Sequence, residues 1–151
     1  MAEDTARARM RPLGIGSHPI YPMLLPIPIV CFAAVVLTDL AYLSQPEMMW
    51  IDFSSWLLLA GLIGGGIAAV VLIIELIRAG RDRRGPLTLH FVLLLAAWVV
   101  EVLNSFIHAR DGWTAVAGTG LILSIVGALL ALAAGWTWQS AAYDTRAGEV
   151  A

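Results

Sequence analysis

Four long runs of apolar residues, separated by short polar segments, dominate the chain. The runs cover residues 26–43, 53–77, 87–109 and 113–138. A helix needs about 20 apolar residues to cross the hydrocarbon layer of a bilayer, and the runs reach or approach that length. Because the segments between them are short, consecutive helices must run antiparallel. The pattern predicts an all-α membrane protein, an antiparallel four-transmembrane-helix bundle over residues 18–139.

Polar residues recur along one face of the third predicted helix. This face consists of His90, Leu94, Ala97, Glu101, Asn104 and His108. Successive helical residues are about 100° apart, so the strongly polar members fall within roughly 40° of one line. A lipid-facing helix would not carry such a stripe, and we expect it to face the other helices.

Small residues mark one face of the second and fourth predicted helices. In the second helix, Gly61, Gly65 and Ala68 share a face with Glu75. The fourth helix carries a similar row, consisting of Gly120, Ser124, Gly127, Ala131 and Gly135. Small residues let neighbouring backbones or a flat ligand approach closely, although helix packing alone also explains such rows.

Three carboxylates, Asp39, Glu75 and Glu101, lie within the apolar runs, and no Arg lies deep enough to pair with them. Each such charge costs several kcal/mol near the bilayer centre, so it must face the interior, take up a proton or contact a ligand. Asp39 and Glu101 can share a proton, or they can accept hydrogen bonds from Asn104 and Thr38.

Depth along the helices sorts the polar groups into two layers. One layer holds His18, Glu75 and His90. The other layer holds Asp39, Glu101, Asn104 and His108. His90 and His108 are about 27 Å apart at 1.5 Å per residue.

The segment before the first helix contains four prolines in eleven residues, His18 to Pro28. Proline does not fit a regular helix interior but is tolerated in a first turn. We therefore expect the helix to begin near Pro26, after a stiff, extended or turn-like arm that holds His18 and Tyr21 over the bundle mouth. An interfacial anchor is the alternative, because His and Tyr are common at headgroup level.

Composition agrees with a membrane protein. Sixty per cent of the chain is hydrophobic and 13% is charged, whereas soluble domains keep roughly a quarter of their residues charged. A net charge of −2 supplies no basic field for nucleic acid. The single cysteine, Cys31, excludes an internal disulfide, and we expect it to serve packing.

The basic residues are all Arg, and eight of the nine lie in the tails or the second loop. The positive-inside rule then places both termini, residues 1–17 and 140–151, in the cytoplasm. We expect five of the six tryptophans to form interfacial belts, namely Trp50, Trp56, Trp113, Trp136 and Trp138.

The sequence HPIYPMLLPIPI, the four spans and His90 at the start of the third span resemble the bacterial inner-membrane family filed as domain of unknown function 2231. The resemblance covers about residues 14–145. His18 and the prolines match the family's motif, whereas Tyr21 replaces its second His. Family members occur beside c-type cytochrome and sugar or aldehyde dehydrogenase-like domains, so the resemblance implies a respiratory electron-transfer setting with such a partner.

The favoured function is an electron-transfer subunit that binds haem b or a quinone. His18 and His90 are the expected axial ligands, with Glu75, Arg78 and Tyr21 near the cofactor. One alternative is a non-haem metal site on His18, His90 and Glu75. Another is a non-catalytic anchor or partner-binding bundle, which the small-residue faces also allow to be a homodimer. A proton-coupled transporter is a weaker possibility because no internal repeat is present.

Overall fold

The computed structural model describes residues 20–78, 81–110 and 116–150, and these residues are helical except in short turns. The elements are α1 (Ile20–Leu24), α2 (Pro26–Ser44), α3 (Met48–Arg78), α4 (Arg81–His108), the π-helical segment Val116–Gly120 and α5 (Leu121–Val150). Within these ranges, four segments are long and apolar enough to cross a membrane: Ile20–Ser44, Met48–Arg78, Leu87–His108 and Gly118–Ala141. The prediction of an all-α four-helix membrane bundle is confirmed.

The proline-rich segment is helical from Ile20, so the expectation of an extended or turn-like arm is wrong over residues 20–25. Leu25 joins α1 to α2 with helical backbone angles (φ −56°, ψ −38°). Its N–H donates to the carbonyl of Tyr21 at 3.0 Å. The first span is therefore one helix interrupted at a single residue.

The positions of the prolines explain why this helix forms. Pro22 lies in the first turn of α1, and Pro26 and Pro28 lie in the first turn of α2. Backbone N–H groups have no intrahelical acceptor in a first turn, so proline costs little there. At the other end, α2 stops at Ser44 because Gln45 is extended and Pro46 follows.

Three helices run beyond their predicted bounds, and α3 begins at Met48 rather than at residue 53. The third predicted helix, α4, begins at Arg81 rather than at residue 87. The fourth, α5, continues to Val150 rather than ending near residue 138. Arginine and alanine are good helix formers, so the helices continue where the apolar run has stopped.

The four spans pack around a shared core in which α2 and α4 each lie against both α3 and α5. Glycines allow the closest approaches. A Cβ at Gly61 would collide with the Phe32 ring, and one at Gly65 would lie 3.2 Å from Cδ1 of Trp98. The Trp98 indole donates to the carbonyl of Leu62 at 2.9 Å. The small-residue face of α3 is thus a packing surface for its neighbours.

An apolar layer crosses the middle of the bundle. Its buried centre consists of Phe32, Ala97 and Ala131, with Leu58 and Leu94 nearby on α3 and α4. Among the described residues, the buried polar side chains lie on either side of this layer and not within it. The polar interior is therefore divided into two separate parts.

Candidate functional site

The predicted polar stripe of α4 lies in the interior over its whole length, from His90 to His108. The two ends of the stripe belong to different clusters. Along the helix axis, His90 of one cluster and Glu101 of the other are about 16 Å apart. We call them the His90 cluster (Tyr21, His90, Thr137 and Trp138) and the Asp39 network (Asp39, Ser54, Glu101, Asn104, His108 and Ser124).

In the His90 cluster, both ring nitrogens of a fully buried imidazole are hydrogen-bonded. Nδ1 lies 2.8 Å from the carbonyl oxygen of Ala134 on α5. A carbonyl only accepts, so Nδ1 carries the hydrogen. Nε2 contacts the hydroxyl of Tyr21, and in this tautomer Nε2 accepts a hydrogen bond that the Tyr21 hydroxyl donates. His90 is therefore a neutral imidazole held between α1 and α5.

Trp138 closes this cluster on the side of α5. Its ring centroid lies 4.6 Å from that of Tyr21 and 5.4 Å from that of His90. Trp138 is buried among the helices, whereas Trp136 and Trp56 are exposed at the surface of the bundle. Tyr21 is fully buried as well, so the interfacial-anchor alternative is wrong for that residue.

The remaining residues predicted for this layer have different surroundings. Glu75 is buried on α3 and lies near enough to Tyr21 for an electrostatic interaction. Arg78 is exposed at the end of α3. His18 lies outside the described residues. The structure thus brings Tyr21, His90 and Glu75 together and leaves Arg78 at the surface.

The Asp39 network joins all four spans. The carboxylate of Asp39 accepts three hydrogen bonds. Ser54 of α3 donates to Oδ1 at 2.7 Å, Ser124 of α5 donates to Oδ2 at 2.6 Å, and Nε2 of His108 lies 3.0 Å from Oδ1. An anion buried in the membrane interior is stabilised when all its neighbours donate to it.

His108 completes this arrangement as a double donor. Its Nδ1 lies 3.1 Å from the backbone oxygen of Asn104. Both nitrogens therefore face acceptors, which makes the ring an imidazolium ion paired with Asp39. Sequence reasoning placed both residues in one layer but did not pair them, and it treated Ser124 as a packing residue.

Asn104 connects the ion pair to Glu101. Its Nδ2 donates to Oε2 of Glu101 at 2.8 Å and to Oγ of Ser124 at 2.9 Å. The expected hydrogen bond from Asn104 to Glu101 is present, whereas Thr38 reaches Asp39 only through Ser54, whose Oγ lies 2.7 Å away. Gly127 of α5 lies against the Glu101 carboxyl so closely that a Cβ there would collide with it.

A lateral groove of about 380 Å³ opens between the first span and α5, beside the His90 cluster. One wall is formed by residues Pro22 to Val30 and the other by Leu132 to Gln139. Trp138 belongs both to this wall and to the His90 cluster. The groove is apolar except for the amide of Gln139 and the indoles of Trp136 and Trp138.

The described residues do not fit a haem ligated by His90. The atom that would bind iron, Nε2, is hydrogen-bonded to Tyr21, and the ring is covered by Trp138. His108 is engaged in the Asp39 network on the far side of the apolar layer. Within the ranges that the structure describes, no group of three or more His, Cys, Asp or Glu side chains is arranged to hold a metal ion.

Comparison with known proteins gives one match. The family described as "Predicted membrane protein (DUF2231)" matches residues 17–151. Neither the search of curated proteins nor that of solved structures found a match. The four spans and the family match together lead to one conclusion: this chain is a multi-pass membrane protein that belongs to the DUF2231 family.

Proposed function

We propose that this protein is a small membrane subunit of an electron-transfer system and that it binds a quinone. The observation that carries the proposal is the lateral groove beside Trp138. The respiratory setting comes from the family resemblance, and the quinone is favoured over haem because the His90 nitrogens are already engaged.

The chemistry of the groove matches a flat headgroup with an isoprenoid tail. Its volume lies in the range of sites that hold small molecules. The proline and aliphatic walls suit an apolar tail, and the indoles of Trp136 and Trp138 offer flat surfaces for a ring. The Gln139 amide can donate a hydrogen bond to a quinone oxygen.

The His90 cluster lies directly behind this groove. Trp138 contacts the groove on one face and packs against Tyr21 and His90. Tyr21 and His90 form a donor–acceptor pair for a proton. A ligand seated beside Trp138 would therefore lie one aromatic ring away from a group able to exchange protons.

Quinone binding is tested with the full chain in lipid nanodiscs. Ubiquinone and menaquinone analogues are added, and quenching of tryptophan fluorescence is recorded, since Trp136 and Trp138 line the groove. Quinones that copurify with the protein are extracted and quantified. We expect saturable quenching, and we expect Trp136→Phe to reduce its amplitude.

A filled groove provides the matched variant. In Gly135→Leu the new side chain must displace the tip of Ile29, which a Cβ at Gly135 would meet at 2.8 Å, and it then fills the groove. We expect at least tenfold weaker binding. The control, Ala133→Leu, adds the same bulk at an exposed position of α5 outside the groove, and binding should be unchanged. Quenching that is not saturable, or that is equal in both variants, would show that only ordinary lipid occupies the groove.

A non-catalytic anchor for a dehydrogenase or cytochrome partner is the second candidate. It is favoured by the Asp39 network, in which polar groups of all four spans are bonded to one another. On this hypothesis, His90→Ala and Gly135→Leu should leave the assembly and activity of the partner unchanged. Loss of partner activity in Gly135→Leu, with assembly retained, would instead favour the quinone site.

A further inference from the structure

Two buried oxygen atoms in the Asp39 network have no hydrogen-bond partner among the described residues. They are Oε1 of Glu101 and Oδ1 of Asn104. Both side chains are fully buried, and their other polar atoms are already joined by the bond from Nδ2 to Oε2. Two unpaired acceptors on hydrogen-bonded neighbours are costly unless a donor reaches them.

The charges around Glu101 point to a proton as that donor. His108 and Asp39 neutralise each other. Asp39 of α2 and His108 of α4 are the titratable groups that interact with Glu101, while α3 and α5 contribute the neutral Ser54 and Ser124. An ionised Glu101 would therefore be an uncompensated charge inside the bundle, which costs several kcal/mol.

We propose that Glu101 and Asn104 form a buried proton-binding site, with the proton on Oε1 of Glu101. The carboxylic acid and the amide then donate one hydrogen bond to each other, and the amide keeps its second donation to Ser124. The Asp39 network as a whole is neutral when the proton is bound. This site is separate from the groove and from the His90 cluster, so it stands independently of the quinone proposal.

A metal cation fits this place less well than a proton. A hard cation such as Ca²⁺ takes about six to eight oxygen ligands, whereas the described residues leave only two acceptor oxygens open here. The backbone of Gly127 also lies directly against the carboxyl, where a Cβ would collide. A hydrogen atom between two oxygens needs no further ligand and almost no space.

Infrared spectroscopy of the full chain in lipid at neutral pH tests the site. A protonated carboxyl group has a C=O stretching band separate from those of carboxylates. In the wild type, we expect this band to shift when glutamate is labelled with ¹³C at its side-chain carboxyl and to stay in place when aspartate is labelled. This measurement needs no mutation, so it holds even if a variant fails to fold.

The variants then identify the residue. Glu101→Gln should lose the band, and Glu75→Gln, which changes the other buried glutamate, should retain it. The proposal is overturned if the wild type has no such band, if the band follows the aspartate label, or if it survives Glu101→Gln. It is also overturned if added Na⁺ removes the band, since a cation would then occupy the site.

Discussion

Asp39 and His108 are 69 positions apart in the chain, yet Nε2 of His108 lies 3.0 Å from Oδ1 of Asp39 in the interior of the bundle. The pair joins the first span to the third near the end at which α2 stops. Its partners from α3 and α5 extend the contact to all four spans. The ion pair is thus a centre of the packing as well as a charged group.

Removing either member of this pair should destabilise the bundle strongly. Asp39→Ala leaves a buried imidazolium, and His108→Ala leaves a buried carboxylate, so each should cost about 3 kcal/mol of unfolding free energy. The double variant should cost less than the sum of the two. Reversible unfolding in mixed micelles gives the unfolding free energies of the wild type, the two single variants and the double variant. Strictly additive losses would contradict the pairing.

Gly127 should not tolerate even alanine. The added methyl group collides with the Glu101 carboxyl, and overpacking of this kind costs about 1–3 kcal/mol. Gly66→Ala is the matched control, because its Cβ would meet only Nε1 of Trp98, at 3.7 Å. Adding Glu101→Ala to Gly127→Ala should restore part of the thermal stability, and no recovery would argue against this specific collision.

The two described histidines should differ in protonation at neutral pH. His90 donates with Nδ1 and accepts with Nε2, whereas His108 donates with both nitrogens. ¹⁵N NMR of histidine-labelled protein distinguishes a neutral ring from an imidazolium. His90→Asn and His108→Asn assign the signals, and two identical neutral rings would contradict the assignment for His108.

Both termini should lie in the cytoplasm if the arginines orient the bundle. Eight of the nine lie in the tails or between the second and third spans. Reporter domains fused after residue 151 test the orientation. A reporter that is active only outside the cytoplasm should be silent there and active when inserted at residue 46, between α2 and α3. The reverse pattern of reporter activity would show that the bundle has the opposite orientation.

Periodicity was enough to place the interior faces of the helices. The residues from His90 to His108 at steps of three and four are buried, as are Gly61, Ala68 and Glu75 on α3. This succeeds because a membrane helix has one interior face, and polar or small residues mark it. The hydrogen-bond partners of each polar group are harder to predict from the sequence, because they depend on how each helix is rotated and how deep it lies.

The errors have physical causes. The interfacial-anchor alternative for Tyr21 and the interfacial-belt prediction for Trp138 rest on how common these side chains are at headgroup level, whereas here both rings pack against His90. The prolines of the first span predict an extended arm when they are assumed to lie inside one helix. They fit two short first turns, but this is apparent only once the starts of α1 and α2 are known. Ser54 lies at the edge of a predicted span, and nothing local indicated that it donates to Asp39.

The apolar layer around Phe32, Ala97 and Ala131 affects how the membrane voltage acts on the protein. A unit charge that crosses the whole membrane exchanges about 2.3 kcal/mol per 100 mV. Most of that potential drops across material of low polarity. A proton that reaches Glu101 from the nearer surface does not cross this layer, so its occupancy should follow the pH of one compartment and respond little to voltage.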